Sequence, residues 1–302
     1  MDIRRTVYTV SLAAVLAVAP LVVTAAGQSP PTLPVPQMET ILGARGDVSH
    51  GVLGVDADRP DLRVRGGTEQ VPFAAGFGIH HDLYFAPLSG DRAVFNGDIA
   101  VLPGEIQPAI DAILRHGLDF QGEHQHLYDL RPMVWFLHFR GTGTPLGLAR
   151  AVRAVLDRTG TPLPQQPPAH QTTPLPAAEL GHILHGDASV GENGVVTVVV
   201  PRTDRIVLGG ARIPAELNVS TNVEFEPLAG GRAAALPDFS MTSPEVRPVI
   251  ATLRHAGWEI GCLYNQETDE QPQLYFSHAF ATGDPVTLAH RIRAAVAHTA
   301  VP

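Results

Sequence analysis

Three histidines lie close together in the stretch GLDFQGEHQHLYDLRPMVWFLHFRG, residues 117–141. His124 and His126 are two residues apart, so their side chains point to the same face if this segment is a β-strand. His138 follows in a second apolar segment. Imidazole nitrogens are common ligands of zinc, copper and other divalent metals. The stretch therefore predicts a site for a divalent metal or for a small polar ligand.

The geometry of such a site depends on how the two segments pair. The polar residues 129–131 and the proline that follows predict a turn, and pairing about Arg131 would place His138 beside His124. A change of register by one residue would send His138 to the opposite face of the sheet. The set of His124, His126 and His138 is predicted to converge only if this register holds.

A carboxylate could complete the ligands, and Asp98 is the candidate because its predicted strand could neighbour the hairpin. Glu123 faces away from His124 by alternation. The pair His80-His81 can contribute at most one side chain to a shared site, and structural roles are favoured for both. The alternative for all these histidines is that they are polar residues on the open face of a sheet, since His-x-His alone is a weak motif.

An internal repeat organises the chain. Shifted by 140 residues, the sequence matches itself without a gap over more than a hundred residues. The matching pairs include Phe85 and Phe225, Asp98 and Asp238, Gly117 and Gly257, Pro132 and Pro272, and His138 and His278. We therefore expect a tandem duplication, with a first repeat at 40–160, a proline-rich linker at 161–178 and a second repeat at 179–300.

The two repeats differ at the candidate site. Tyr264-Asn265-Gln266 stands in the second repeat where the first has His124-Gln125-His126, whereas His138 keeps its counterpart His278. The sequence therefore assigns a metal or ligand site to the first repeat. The retention of His278 with Asp238 indicates that these two residues could instead hold the sheet together in both copies.

Each repeat has the same order of predicted elements, several strands, a helix, two strands and a helix. In the second helix of each repeat, Thr144-Pro145 and Asp284-Pro285 are typical helix starts. The predicted fold class is α+β, a duplicated antiparallel-sheet domain with its helices packed on one sheet face. We expect the two repeats to pack together, but the sequence does not show which faces meet.

The N-terminus predicts export. Residues 1–26 combine Arg4 and Arg5, an apolar run and the small residues Thr24-Ala25-Ala26, which is the pattern of a cleaved signal peptide. A single membrane anchor is the alternative. Residues 27–39 are predicted to be a disordered linker. No cysteine lies near the predicted cleavage site, so we expect a periplasmic or extracellular protein with no lipid anchor and no membrane span after cleavage.

Charge and cysteine content exclude some functions. A formal net charge of −9 gives no basic surface for nucleic acid or anionic membranes. Cys262 is the only cysteine, so no intramolecular disulfide can form, and its apolar setting predicts a small core residue.

The run from Gly97-Asp98 through Glu105, Gly117, His124-Gln125-His126 and Pro132 to Phe136-Leu137-His138-Phe139 resembles the LppY/LpqO-type family of exported bacterial proteins. The resemblance implies a domain of unknown function and marks His124, His126 and His138 as the family's histidines. It supplies no reaction. The missing lipobox cysteine and the Tyr264-Asn265-Gln266 segment depart from the family's pattern.

Three hypotheses follow. The first is an exported binding protein whose first repeat holds a divalent metal, zinc or copper, or a small polar ligand. The second is a metal-dependent or histidine-based hydrolase or isomerase, with His124 or His126 as general base near the ordinary histidine pKa of ~6.5. The third is a module that binds a cell-envelope component, which an exposed apolar patch on the second repeat would favour.

Overall fold

A computed structural model describes residues 32–166, 171–208 and 211–302 of the chain. The predicted signal peptide at residues 1–26 lies outside the described residues. Within the described ranges, no helix is both long enough and apolar enough to cross a membrane.

The first repeat is built from three helices and eight strands in its described part. In chain order these are α1 (Val35–Leu42), β1 (Asp47–Ser49), β2 (Val52–Asp58), β3 (Arg65–Gly66), β4 (Val71–Pro72), β5 (His80–Pro87), β6 (Ala93–Val101), α2 (Ile106–Arg115), β7 (Asp119–His124), β8 (Trp135–Gly143) and α3 (Pro145–Leu156).

The second repeat follows the same plan. Its elements are α4 (Ala177–Leu184), β9 (Asp187–Val190), β10 (Val196–Val200), β11 (Val207–Leu208), β12 (Ala211–Arg212), β13 (Thr221–Pro227), β14 (Ala233–Thr242), α5 (Ser243–His255), β15 (Glu259–Ile260), β16 (Glu270–Gln271), β17 (Leu274–Gly283) and α6 (Pro285–Val296), with short 3₁₀ turns at Glu192–Gly194 and Ala229–Gly231.

Each repeat forms one six-stranded antiparallel sheet. The strand order is β1-β2-β5-β6-β8-β7 in the first sheet and β9-β10-β13-β14-β17-β15 in the second, so equivalent strands occupy equivalent places. The predicted helix starts hold, because Thr144 Oγ1 accepts from the Gly147 N–H and Asp284 Oδ1 accepts from the Thr287 N–H. The predicted α+β duplication is confirmed.

Alternation along the strands gives each sheet two buried faces. On β5, Leu83 and Phe85 belong to the core beneath the helices of the first repeat. Asp82 and Tyr84, by alternation, face the opposite way. The second repeat has an equivalent core between its own sheet and helices. The molecule is therefore layered as helices, sheet, sheet and helices.

Two apolar clusters join the sheets, and each contains residues of both repeats. One includes Phe77 and Phe136 with Phe280. The other includes Val52 with Phe276. On β17, His278 lies between Phe276 and Phe280 in the alternation that faces the first repeat, so a polar layer separates the two apolar clusters.

A buried arginine repeats the same contacts in each half. Arg59 donates to Asp61, Glu105 and the Ala100 carbonyl oxygen. Arg202 makes the equivalent bonds to its own repeat, accepted by Asp204, Glu245 and the Ser240 carbonyl oxygen. The repeats are thus equivalent in their ion pairs as well as in their strands.

The N-terminal boundary differs from its prediction. The sequence predicts disorder through residue 39, but Val35–Leu42 forms helix α1, which buries Met38 and Leu42 and packs against α3. Helix α4 likewise begins at Ala177, inside the predicted linker of 161–178. Each helix has eight residues, too few for the apolar periodicity to be recognisable beside the neighbouring prolines.

Candidate metal centre

The histidine hairpin forms, but with a different register. His124 lies opposite Phe136, and His138 lies opposite Gly122, with an irregularity between Phe120 and Gly122. The pairing of His124 with His138 about Arg131 is therefore wrong by two residues. An even shift preserves the face, so the rings of His124 and His138 still lie on one side, 5.0 Å apart between centroids.

His126 follows the end of β7, and its ring stacks on Phe136 with 3.4 Å between centroids. On its other side it lies 3.7 Å from the ring of His278, which comes from the second repeat. One nitrogen from each of His124, His126 and His278 lies within 4.8 Å of the other two. We call this group the histidine centre.

The histidine centre differs from the sequence prediction in one member. The sequence assigned the site to the first repeat, with His138 as the third imidazole. In the compact group that place is taken by His278, because the sheets meet face to face and bring β17 over the hairpin. His138 stands beside the group, next to His124.

Two imidazoles of the centre, those of His124 and His126, have ring nitrogens without hydrogen-bond partners. Both ring nitrogens of His124 and Nδ1 of His126 are buried and unpaired. An unsatisfied buried polar group costs about 1–3 kcal/mol, so such groups in a folded protein need an explanation. Since the two nitrogens of one imidazole point in different directions, a metal ion can satisfy at most one nitrogen of each ring.

Burial sets the protonation state of these rings. It lowers the pKa of His124 and His126 well below the ordinary histidine value, and the neighbouring imidazoles lower both further. Burial likewise lowers the pKa of His138 and of His278 to about 3. The rings are neutral near neutral pH, which is the form that binds metals. The hypothesis that His124 or His126 is a general base with a pKa near 6.5 does not fit these shifts, because a ring with a lowered pKa is a weak base.

The Asp238 carboxylate lies on the Nδ1 side of the His278 ring. His278 Nδ1 lies 3.7 Å from Asp238 Oδ1 and 3.3 Å from Cys262 Sγ. The Tyr264 hydroxyl donates to Asp238 Oδ2 at 3.3 Å. Metal-binding histidines usually present their second nitrogen to a carboxylate or carbonyl, which fixes the ring orientation. Asp238 lies near that position for His278, but 3.7 Å is longer than a hydrogen bond, and the partner of Nδ1 is Cys262 Sγ.

Asp98, the predicted carboxylate, serves the other histidine. It is directly opposite His138 on the neighbouring strand, and its Oδ2 lies 3.6 Å from His138 Nε2. Burial raises the pKa of Asp98 well above its ordinary range, and the nearby Asp82 carboxylate raises it further. Asp98 is thus close to the histidine centre without belonging to its compact group.

The pair His80-His81 divides between the two faces. His81 turns toward the helices, where its Nδ1 accepts from the Ala100 N–H and its Nε2 contacts Thr161 Oγ1. His80 joins the polar layer, with Nε2 3.4 Å from Asp82 Oδ1 and also 3.4 Å from Glu224 Oε1. Alternation on β5 was the available signal for placing His80 and Asp82 on one face.

A family profile matches residues 36–158 and again residues 178–298. The chain belongs to the family described as Domain of Unknown Function (DUF1259). No curated protein matches the sequence. Among solved structures, the chain is similar to a crystal structure of the trimeric bacterial microcompartment shell protein PduB, at 12% identity, with 84% of this chain and 89% of that chain covered and a TM-score of 0.22.

The two DUF1259 domains contribute unequally to the centre. The first supplies His124, His126 and the neighbouring His138. The second supplies His278, its carboxylate Asp238 and the Tyr264 ring, which stacks on His124 at 3.6 Å between centroids. Neither domain alone contains the compact group.

Proposed function

We propose that this protein is an exported binding protein that holds a divalent transition metal, zinc or copper, between its two domains. His124, His126 and His278 are the ligands. The observation that carries the proposal is the group of three imidazole nitrogens within 4.8 Å of one another.

The spacing suits one ion after small side-chain rotations. Two nitrogens bound to a tetrahedral zinc lie ~3.4 Å apart, since Zn–N bonds are ~2.0–2.1 Å long. The rings of His126 and His278 are nearly parallel, with 19° between their planes, so their lone pairs must tilt toward each other to share an ion. Binding of one ion would therefore require these rings to rotate about their side-chain bonds.

The donor set selects the class of metal. Imidazole suits zinc, copper and nickel, whereas calcium and magnesium take oxygen ligands. Asp238 behind His278 fits the outer carboxylate that such centres use to orient a ligand. A fourth ligand, from water or a bound molecule, would complete a tetrahedral shell.

Metal analysis of untagged protein tests the proposal. We expect about one zinc or copper ion per chain after expression in supplemented medium, as three imidazoles and an open fourth position can hold. The variant His126→Gln copies the residue that the second domain has at position 266 and should lose the ion. His116→Ala removes an exposed histidine and should keep it. Metal-free wild-type protein, or equal metal in His126→Gln, would contradict the proposal.

Export is a second part of the proposal, supported by the composition of residues 1–26 and by the LppY/LpqO-type resemblance. Expression of the full chain in a bacterium, followed by fractionation and N-terminal sequencing, tests it. We expect the periplasmic or secreted form to begin after Ala26. An uncleaved chain retained in the cytoplasm would refute this part and leave the metal proposal standing.

A further inference from the structure

A row of ionisable side chains crosses the first sheet on the face that meets the second. Asp56 on β2 lies opposite Asp82 on β5, Asp82 lies opposite Asp98 on β6, and Asp98 lies opposite His138 on β8. Directly opposed residues on adjacent antiparallel strands have Cβ atoms about 4.5–5.5 Å apart. Four neighbouring strands therefore present one continuous polar row.

Exposure falls steadily along this row. Asp56 is exposed, the Asp82 side chain is 23% exposed, Asp98 is 9% exposed and His138 is 1% exposed. The row thus runs from solvent to the histidine centre.

The buried end of the row is unsatisfied. Neither ring nitrogen of His138 has a hydrogen-bond partner, although the side chain is almost fully buried. Its Nε2 lies 3.6 Å from Asp98 Oδ2, which is longer than a good hydrogen bond. An imidazole and a carboxylate that face each other at this distance leave room for a shared cation after small adjustments.

Positive charge is scarce around these carboxylates. In the described part of the chain, histidines are the only basic side chains within 4.0 Å of Asp82 and Asp98. Burial opposes protonation of His80, but the Asp82 and Glu224 carboxylates raise its pKa well above the ordinary value, so His80 supplies one positive charge to Asp82. Burying a carboxylate without a compensating charge costs several kcal/mol, so Asp98 needs a proton or a cation.

The equivalent row of the second sheet is different. Its opposed residues are Val199, Asn222, Asp238 and His278, with one carboxylate in place of three. His278 is already a ligand of the proposed histidine centre. The extra carboxylates are therefore a property of the first domain, beyond what the shared sheet architecture requires.

We propose that Asp98 and His138 hold a second divalent cation beside the histidine centre, with Asp82 completing the coordination directly or through water. This inference rests on the proposed metal-binding function and makes the site dinuclear. The rings of His124 and His138 are 5.0 Å apart, close enough for ions separated by the ~3.5–4 Å found in two-metal sites. Mixed carboxylate and imidazole ligands suit manganese, iron or zinc.

The test counts ions in untagged protein expressed with added Mn²⁺ or Zn²⁺, because folding with the ion present removes the problem of access. Wild-type protein should hold about two ions per chain, as in two-metal sites. Asp98→Asn should hold about one ion per chain. Asp238→Asn changes the equivalent residue of the second domain and should still hold about two ions at saturating metal, since loss of an outer carboxylate lowers metal affinity by ~10–100-fold. Asp82→Asn provides a second variant, and thermal unfolding checks that each is folded.

The two proposed metal sites can be tested separately. His126→Gln should remove the first ion and keep the second, so the ion count of zinc-supplemented protein should fall from about two to about one. If wild-type protein holds one ion, His126→Gln holds none and Asp98→Asn holds one, the second site is refuted and the histidine centre is supported. Protons alone would then neutralise the row of carboxylates. No bound ion in wild-type protein would overturn both proposals.

Discussion

The two halves of the interface between the sheets have the same geometry and different chemistry. His124 and its counterpart Tyr264 stack on each other, and each reaches across to a histidine of the opposite domain. The centroid distance is 5.4 Å from His124 to His278 and 5.6 Å from Tyr264 to His138. Reciprocal contacts between equivalent residues are the mark of an approximate two-fold arrangement.

One half presents three imidazoles and the other presents Tyr264, Gln266 and His138. The polar groups of the second half are mostly satisfied by protein: the Tyr264 hydroxyl donates to Asp238, and the Gln266 amide donates to the Asn218 carbonyl oxygen. In the first half, both ring nitrogens of His124 and Nδ1 of His126 are unpaired, and in the second half the ring of His138 is also unpaired. The fold accepts Tyr264 and Gln266 at the positions equivalent to His124 and His126, so histidines at these two positions point to a ligand.

The largest expected effect comes from copying the second half into the first. The double variant His124→Tyr and His126→Gln should lose the zinc of the histidine centre. Ligand at 100–1,000 times Kd stabilises a folded protein by about 2.7–4.1 kcal/mol, so added zinc should raise the wild-type melting temperature. In the double variant this increment from the histidine centre should vanish.

Thermal unfolding of both proteins, with zinc and with a chelator, measures this difference. His116→Ala is the control, and it should respond to zinc as the wild type does. An unchanged zinc-dependent rise in the double variant would show that the two halves do not differ in the way described.

A smaller effect, which depends on pH and not on metal, is expected at His81 on the helix side of the first sheet. Its Nδ1 accepts from the Ala100 N–H at 3.0 Å, and its counterpart Thr221 accepts from the Ser240 N–H, also at 3.0 Å. Burial lowers the pKa of His81 to about 3, with further lowering by the nearby Arg59. His81→Thr should therefore keep the hydrogen bond and remove the titrating group.

The sign of the pH effect follows from linkage. The unfolded chain protonates His81 below ~6.5 and the folded chain does not, so this contribution is complete above ~6.5 and is lost as pH falls toward 3. Relative to His81→Thr, the wild type should lose about 1.4 kcal/mol per pH unit between pH 6 and 4. Urea unfolding of the chelator-treated proteins at several pH values measures it, and parallel stability curves would refute the assignment.

The smallest expected effect concerns the support of His278. Tyr264→Phe keeps the ring that stacks on His124 and removes the hydroxyl that donates to Asp238. Loss of one such hydrogen bond should weaken zinc binding by up to about tenfold, equivalent to about 0.5–1.5 kcal/mol. Tyr84→Phe removes a comparable hydroxyl 3.4 Å from Asp82 and should leave the affinity of the histidine centre unchanged. Competition titration with a chromogenic chelator compares the two, and equal losses would indicate a general effect of removing hydroxyls.

Much of the candidate site could be predicted from local pattern. Strand alternation predicts His124 and His126 on one face. The placement of His138 depended on a register that is wrong by two residues, and an even error leaves the face unchanged. Asp98 was placed beside the hairpin, and it is directly opposite His138. Such predictions succeed because a strand has a side-chain period of two and its polar residues mark the pleat.

The remaining residues could not be found in this way. His278 keeps its counterpart in both repeats and so looked architectural, and Glu224 belongs to a strand of the other domain. Helices α1 and α4 were missed because each buries only a few apolar residues. A repeat shows which residues are equivalent, and it contains no information about which surfaces of the two copies meet.

The sequence by itself determined the duplication, the α+β class, the shared face of His124 and His126 and the chemical difference between the repeats. These follow from periodicity and from comparison of the chain with itself. Only the tertiary structure decided that the histidine centre spans both domains. Face-to-face packing of the sheets is driven by apolar clusters on either side of the polar layer, and that packing brings His278 to His124 and His126 from more than 150 residues away in the chain.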